Sequence, residues 1–219
     1  MLQQKLIVGR FIHFRFPPPP AGGVAQTPAV FVTLPQNLLT INESTGVFTK
    51  KSTVTAGAHA TKPWRTFGWL AWLPGSISEV PLGGNDVLTG PMSGCDLVLY
   101  RRLGVVYAGH LGTDVGAAAQ NASVKATWNG FATNAGALDI IGGFNPFLQW
   151  VLPYPAAQGN DLGAPIFFGL YTTAHTFYTL VLYSQSLAPL QPTHAHLTLR
   201  RIAGLQQINT KTYHQLCNL

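Results

Sequence analysis

The chain has 219 residues, 47% of them hydrophobic and only 9% charged, with 23 glycines and 16 prolines. That is ample apolar material for a core, and far less charge than the ~25% of an average soluble domain. The net charge of +6 comes from scattered residues, adjacent only at Lys50-Lys51, Arg101-Arg102 and Arg200-Arg201, so no basic patch indicates nucleic acid, and no apolar run is long enough for a membrane span.

At the N-terminus, Lys5, Arg10, His13 and Arg15 interrupt what would be the apolar core of a signal peptide, so a soluble chain without a classical export signal is expected. Leu6 to Phe16 alternates apolar and polar residues and predicts an opening strand, bulged near Gly9. Pro17 to Pro20 and Ala21-Gly22-Gly23 end it as a stiff polyproline II connector, a reading favoured over a ligand for a proline-reading domain. Ala29 to Leu34 and Gly46 to Thr55 predict two further strands, separated by turn chemistry at Asn42-Glu43-Ser44-Thr45-Gly46. Arg65 to Leu73 is strand-like and stopped by Pro74-Gly75. Its neighbourhood holds Trp64, Trp69 and Trp72, read as core side chains before a ligand groove.

Glu79 to Pro91 reads as a Gly/Pro-rich loop feeding Cys95. Asp96 to Tyr100 then predicts a strand, Arg101 to Gly104 a four-residue loop, and Val105 to His110 the return strand. Val124, Trp128, Phe131 and Ala132 recur at helical spacing behind Ser123, a fair N-cap. Ala137 to Ile141, Pro165 to Thr172, Phe177 to Gln185 and His196 to Ile202 supply four more strands, around a long loop from Gly142 to Asp161. With about ten strands, no internal repeat and no composition shift, the expected architecture is mainly β, a single-domain β-sandwich over residues 1–219 with one or two helices packed on it.

The acids form no paired-carboxylate pattern, and no phosphate-binding glycine motif is present. His194-Ala195-His196 puts two imidazoles on one strand face, and with a third ligand such as His175 or an Asp they would suit a metal. Pro192 just upstream marks a strand edge where paired histidines are solvated, so no metal is expected. Cys95 and Cys217 do not make a disulfide framework. Cys95 and His110 are different. Pairing Tyr100 with Val105 across the hairpin sets Leu99 against Val106, Leu97 against Ala108, and Cys95 directly against His110. Opposed residues share a face with Cβ atoms about 4.5–5.5 Å apart, a separation that suits a thiol nucleophile and an imidazole base. The competing reading is a buried, inert cysteine. The residues by themselves leave the two level.

Met92-Ser93-Gly94-Cys95, followed by a strand, a turn and a histidine on the next strand, resembles the Leu-Ser-Gly-Cys motif of the cytotoxic necrotizing factor and Burkholderia lethal factor-like glutamine deamidases. The resemblance is firm over Thr89 to Thr113 and loose elsewhere. It implies a β-sandwich toxin or effector that deamidates a glutamine of a host protein inside the host cell, with transglutamination in some members. Cys95 takes the place of the nucleophile and His110 of the base. Thr89, six residues before the cysteine, stands where a threonine orients the histidine in one branch of the family. Met92 departs from the family's leucine conservatively. Backbone N–H groups near Gly94 and Ser93 would stabilise the oxyanion. The resemblance implies no cofactor and no metal, a host protein as the partner, and a monomer that is secreted or delivered into the host cytoplasm. Two other classes stay open: a cysteine protease or other thiol amidase using the same dyad, and a non-catalytic β-sandwich binding module.

Overall fold

Short β-branched and aromatic runs punctuated by glycine and proline cannot complete a helical face, and here they fold as strands. The computed structural model describes residues 1–13, 17, 27–44, 61–185 and 199–219, with backbone alone at 13, 40–44 and 61–65. Its elements in chain order are a 3-10 turn (Leu2–Gln4), β1 (Phe11–His13), β2 (Phe31–Thr33), β3 (Asn37–Ser44), β4 (Thr61–Leu70), β5 (Ile77–Pro81), β6 (Val87–Met92), β7 (Leu97–Arg102), β8 (Val105–Leu111), α1 (Ala118–Ala135), β9 (Ile140–Phe144), β10 (Asp161–Tyr171), β11 (Phe177–Gln185), β12 (Leu199–Ile208) and α2 (Tyr213–Leu216). The protein is mainly β, as its composition indicates. Among the described residues, twelve strands form two sheets, accompanied by one long and one short helix.

One sheet runs β1-β12-β11-β10-β6-β4-β3 and curls until β3 pairs with β1. The other is five-stranded, in the order β2-β5-β8-β7-β9. Alternation along the strands divides the core into three. Leu88, Phe168, Leu170, Leu180 and Leu182 turn to one face of the curled sheet, where Leu2 and Leu6 of the N-terminal turn join them. Val87, Phe167, Tyr171 and Val181 turn to the other face and pack against Leu97, Leu99, Ala108 and Phe144 of the five-stranded sheet. Val98, Tyr100 and Leu111 point away from that interface and are covered by Val124, Trp128 and Ala132 of α1 and Leu216 of α2.

Several local expectations are corrected. The segment read as a loop from Glu79 to Pro91 contains the end of β5 and most of β6, and β6 pairs in parallel with β4, a long-range partner that local turn chemistry does not reveal. The turn expected at Asn42 to Ser44 lies inside β3. α1 starts five residues ahead of Ser123: its N-cap is Ala117, and the strong helix formers Ala118 and Ala119 open it. Ser123 does something else, its Oγ accepting a 2.9 Å hydrogen bond from the Ala29 N–H. The strand begun at Leu6 is only β1 among the described residues. The expected strand at Gly46 to Thr55, His194 and His196 lie outside the described residues.

The hairpin differs in register. Arg102 pairs with Val105, Tyr100 with Tyr107 and Leu97 with His110. The loop is only Leu103-Gly104, both at positive φ (51° and 79°), the arrangement whose twist suits a two-residue hairpin. The offset from the expected pairing is two residues, so every side chain keeps its face while every partner changes.

Where the sheets meet, Leu97 of β7 lies over Gly169 of β10. A Cβ at Gly169 would stand 2.0 Å from Leu97 Cδ1 and 3.1 Å from Pro146 Cγ. Gly169→Ala is therefore expected to cost about 1–3 kcal/mol by overpacking, and adding Leu97→Val is expected to recover part of it. Urea unfolding of the single and double variants measures both effects.

Candidate functional site

Cys95 occupies the last stretch before β7. The Leu111 N–H donates to the Asp96 carbonyl at 3.0 Å, carrying the β7–β8 pairing one step beyond Leu97. Continued one more step, that register sets Cys95 opposite Gly112, not His110. The two candidate residues are diagonal neighbours on the face that looks into the inter-sheet core, where a regular pair stands about 7–8 Å apart between backbones. The expected direct opposition of Cys95 and His110 is thus corrected by a shorter turn, and the shared face survives.

His110 is fully buried. Its Nδ1 lies 2.9 Å from Thr89 Oγ1, on a strand of the opposite sheet. Thr89 pairs with Gly169 and His110 with Leu97, so the seat of Leu97 on Gly169 and the Thr89–His110 bond are adjacent cross-sheet contacts. Tyr171 adds another, its hydroxyl donating to the Gly109 carbonyl at 2.5 Å. His110 Nε2 has no hydrogen-bond partner among the described residues. If the Nδ1–H donates to Thr89, Nε2 carries a bare lone pair in the core, the tautomer a general base needs. Burial pushes the imidazole pKa down to about 3, so it is neutral at physiological pH.

The thiol is 5% exposed. It donates to the Thr113 carbonyl and accepts from the Thr113 hydroxyl, both at 3.3 Å. It makes no hydrogen bond with His110. Burial pushes its pKa up, the Thr113 hydroxyl bond pulls it down, and the carboxylates of Asp96 and Asp114 add to the rise. Thr113 is itself braced by the Trp72 Nε1–H, which donates to the Thr113 carbonyl at 3.3 Å. The resting pair is therefore neutral thiol and neutral imidazole.

Two concavities meet at the sulfur. One, of about 260 Å³, is walled by Trp69, Trp72, Pro91 and Ala71. The other, of about 250 Å³, is lined by Gly94, Asp114, Gly116 and Asn121. Ser93, Cys95, Thr113 and Asp114 belong to both. Trp69 is a core residue as expected and also lines the first wall with the half-buried Trp72, so the choice between core and groove was a false one for these two. The Trp64 side chain lies outside the described residues. Both cysteines are free thiols. Among the described residues, no group of three or more His, Cys, Asp or Glu side chains gathers to hold a metal.

The structure thus brings Cys95, Thr89, His110, Ser93 and Gly94 into one region. It also adds two residues that the sequence reading missed. Thr113 is the thiol's immediate partner. Asn145, 1% exposed at the end of β9, donates from Nδ2 to the Gly94 carbonyl at 2.8 Å. The only signal for Asn145 was turn chemistry in Asn145-Pro146, which carries no hint of a partner about fifty residues away. Compared with family models, curated proteins and solved structures, the chain matches none.

Two measurements test this description. In the unfolded chain the His110 imidazole binds a proton below about pH 6.5, whereas in the folded chain it does so only near pH 3. Its contribution to stability is therefore whole above pH 6.5 and drains away as pH falls, at up to about 1.4 kcal/mol per pH unit. Relative to His110→Gln, the wild type is expected to lose more stability between neutral and acidic pH in urea unfolding. Thr113→Val removes the hydroxyl that donates to sulfur, so the pH midpoint of Cys95 alkylation by iodoacetamide is expected to move upward.

Proposed function

We propose that the chain is a cysteine-dependent amidohydrolase that deamidates glutamine side chains of a protein, in the manner of the toxin family its motif resembles. The observation that carries this reading is the bond between Thr89 and His110 Nδ1, 2.9 Å long, with Nε2 free of a partner among the described residues. A neutral imidazole oriented through one nitrogen and open at the other, on the same face as a thiol, is the arrangement a general base needs.

In the reaction, the thiol swings from Thr113 toward His110 and passes its proton to Nε2 as sulfur attacks the carboxamide carbon. The developing oxyanion meets backbone N–H groups at the Ser93-Gly94-Cys95 turn. His110 returns the proton to the departing nitrogen, the C–N bond breaks, and ammonia leaves. Water then adds to the thioester, the C–S bond breaks, and a proton restores the thiol, leaving glutamate. An amine in place of water gives an isopeptide bond. The chemistry needs no cofactor. The tryptophan-walled concavity suits the aliphatic stem of a glutamine. The protein that carries it would be a host protein if the chain serves as a toxin or effector.

One observation favours a second reading. The thiol is buried, its pKa is raised, and it bonds to Thr113 rather than to His110, as in a binding module whose cysteine is inert. The two readings part on one experiment. Glutamine-bearing host-lysate proteins are incubated with the purified chain, with ammonia release and a gain of about 1 Da per site as readouts. Wild type is expected to produce both without cleavage; Cys95→Ser is expected to abolish them, His110→Gln to slow them about 10²–10⁴-fold, and Thr89→Val by a smaller factor. Cleavage fragments would instead indicate a protease. An unchanged rate in Cys95→Ser would end the enzymatic reading.

A further inference from the structure

We infer that Asn145 is a positioning residue for the reaction, acting through the Gly94–Cys95 peptide; this rests on the deamidase reading above. Apart from Nδ2, every polar atom of Asn145, side chain and backbone, is bonded locally. Its Oδ1 accepts from the Leu148 N–H at 2.9 Å and the Phe147 N–H at 3.2 Å, and its own N–H donates to Gln149 Oε1 at 2.6 Å. These bonds hold the amide group rigid at the end of β9, leaving Nδ2 to reach across to the Gly94 carbonyl at 2.8 Å.

The consequence follows from peptide geometry. The Gly94–Cys95 bond is not among the cis peptides, and in a trans peptide the C=O and N–H point in opposite directions. Asn145 holds the Gly94 oxygen on the β9 side, so the Cys95 N–H points the other way. Gly94 and Cys95 line the concavity at the sulfur and Asn145 does not, which puts that N–H on the side a substrate carbonyl would enter. Gly94 permits that orientation with φ of 144°, a backbone conformation that side-chain-bearing residues rarely adopt. A Cβ there would meet nothing within 4 Å, so the glycine is required by the backbone angle and not by crowding. Asn145 thus aims the donor that receives the oxyanion without touching substrate.

Asn145→Asp separates this role from simple folding. It keeps the oxygen that accepts from Phe147 and Leu148 but replaces the donor to Gly94 with a second acceptor, which repels the carbonyl and turns the peptide. Ammonia release and Cys95 alkylation are measured side by side on wild type, Asn145→Asp and Asn145→Ala, since alkylation by iodoacetamide forms no oxyanion. The expected result is a kcat for ammonia release lowered about 10²–10³-fold in Asn145→Asp, with KM and the alkylation rate within about twofold of wild type. A parallel fall in both rates would overturn the inference, marking Asn145 as a general structural support. An undiminished kcat in Asn145→Asp would overturn it while leaving the deamidase reading intact. If wild type releases no ammonia, the reading and the inference fall together. Should Asn145→Asp not fold, Asn145→Ala decides on the same two rates, with Asn145→Ser, which restores a short donor, expected to recover part of the loss.

Discussion

The contact on which the site depends is the close approach of the two sheets where Leu97 sits on Gly169. Their cross-strand neighbours in the ladders are His110 and Thr89 respectively. Four residues on four strands therefore fix one another: remove the void above Gly169 and the histidine is pushed away from the threonine that holds it. A sandwich interface packed to the density of an organic crystal transmits such a shift and does not absorb it. The precision of the imidazole is inherited from apolar packing, and the polar bond between sheets adds direction more than stability, about 1 kcal/mol for a neutral pair.

The same burial sets the electrostatics. The chain carries few charges, and the buried carboxylates among the described residues are partnered. Glu79 meets Arg102 and Tyr100, Asp161 meets Arg201, and Asp96 meets Lys211. Asp86, also buried, accepts from the backbone N–H groups of Leu2 and Thr173. Truncating Arg201 in the pair buried on both sides strands the Asp161 carboxylate, at a cost of about 3–5 kcal/mol. Lys211 also ties the C-terminal segment to the residue beside the thiol. His110 enters the core with a partner at Nδ1 and none at Nε2 among the described residues, and it does so neutral. Acid is the condition under which that arrangement fails.

How far the site could be read from sequence is seen in the hairpin. Cys95, His110 and Thr89 were all singled out, two by spacing and one by resemblance. The expected four-residue turn was wrong because Leu103, a non-glycine, takes up positive φ beside Gly104, a choice that local preference disfavours and the strand twist rewards. Because the error was two residues, period-two alternation kept the cysteine and histidine on one face even though they no longer face each other. The segment from Glu79 to Pro91 was misread for a different reason. Its prolines and glycines look like a loop, yet its strands are held by partners distant in the chain, β2 and β8 for β5 and β4 and β10 for β6.

By itself, the order of residues determined the mainly β character, the identity of the thiol and imidazole, and their common face. These follow from side-chain chemistry and from the alternation of a strand, which are properties of neighbours along the chain. Only the tertiary structure decided that Thr113 holds the thiol at rest, that Asn145 grips the carbonyl beside it, and that Thr89 meets His110 from the opposite sheet. Each of those contacts joins segments brought together by sheet packing, and no local pattern encodes which strand will lie across the interface. The cysteine's place on the strand was written in its neighbours, but its hydrogen bonding to Thr113 is a property of the fold.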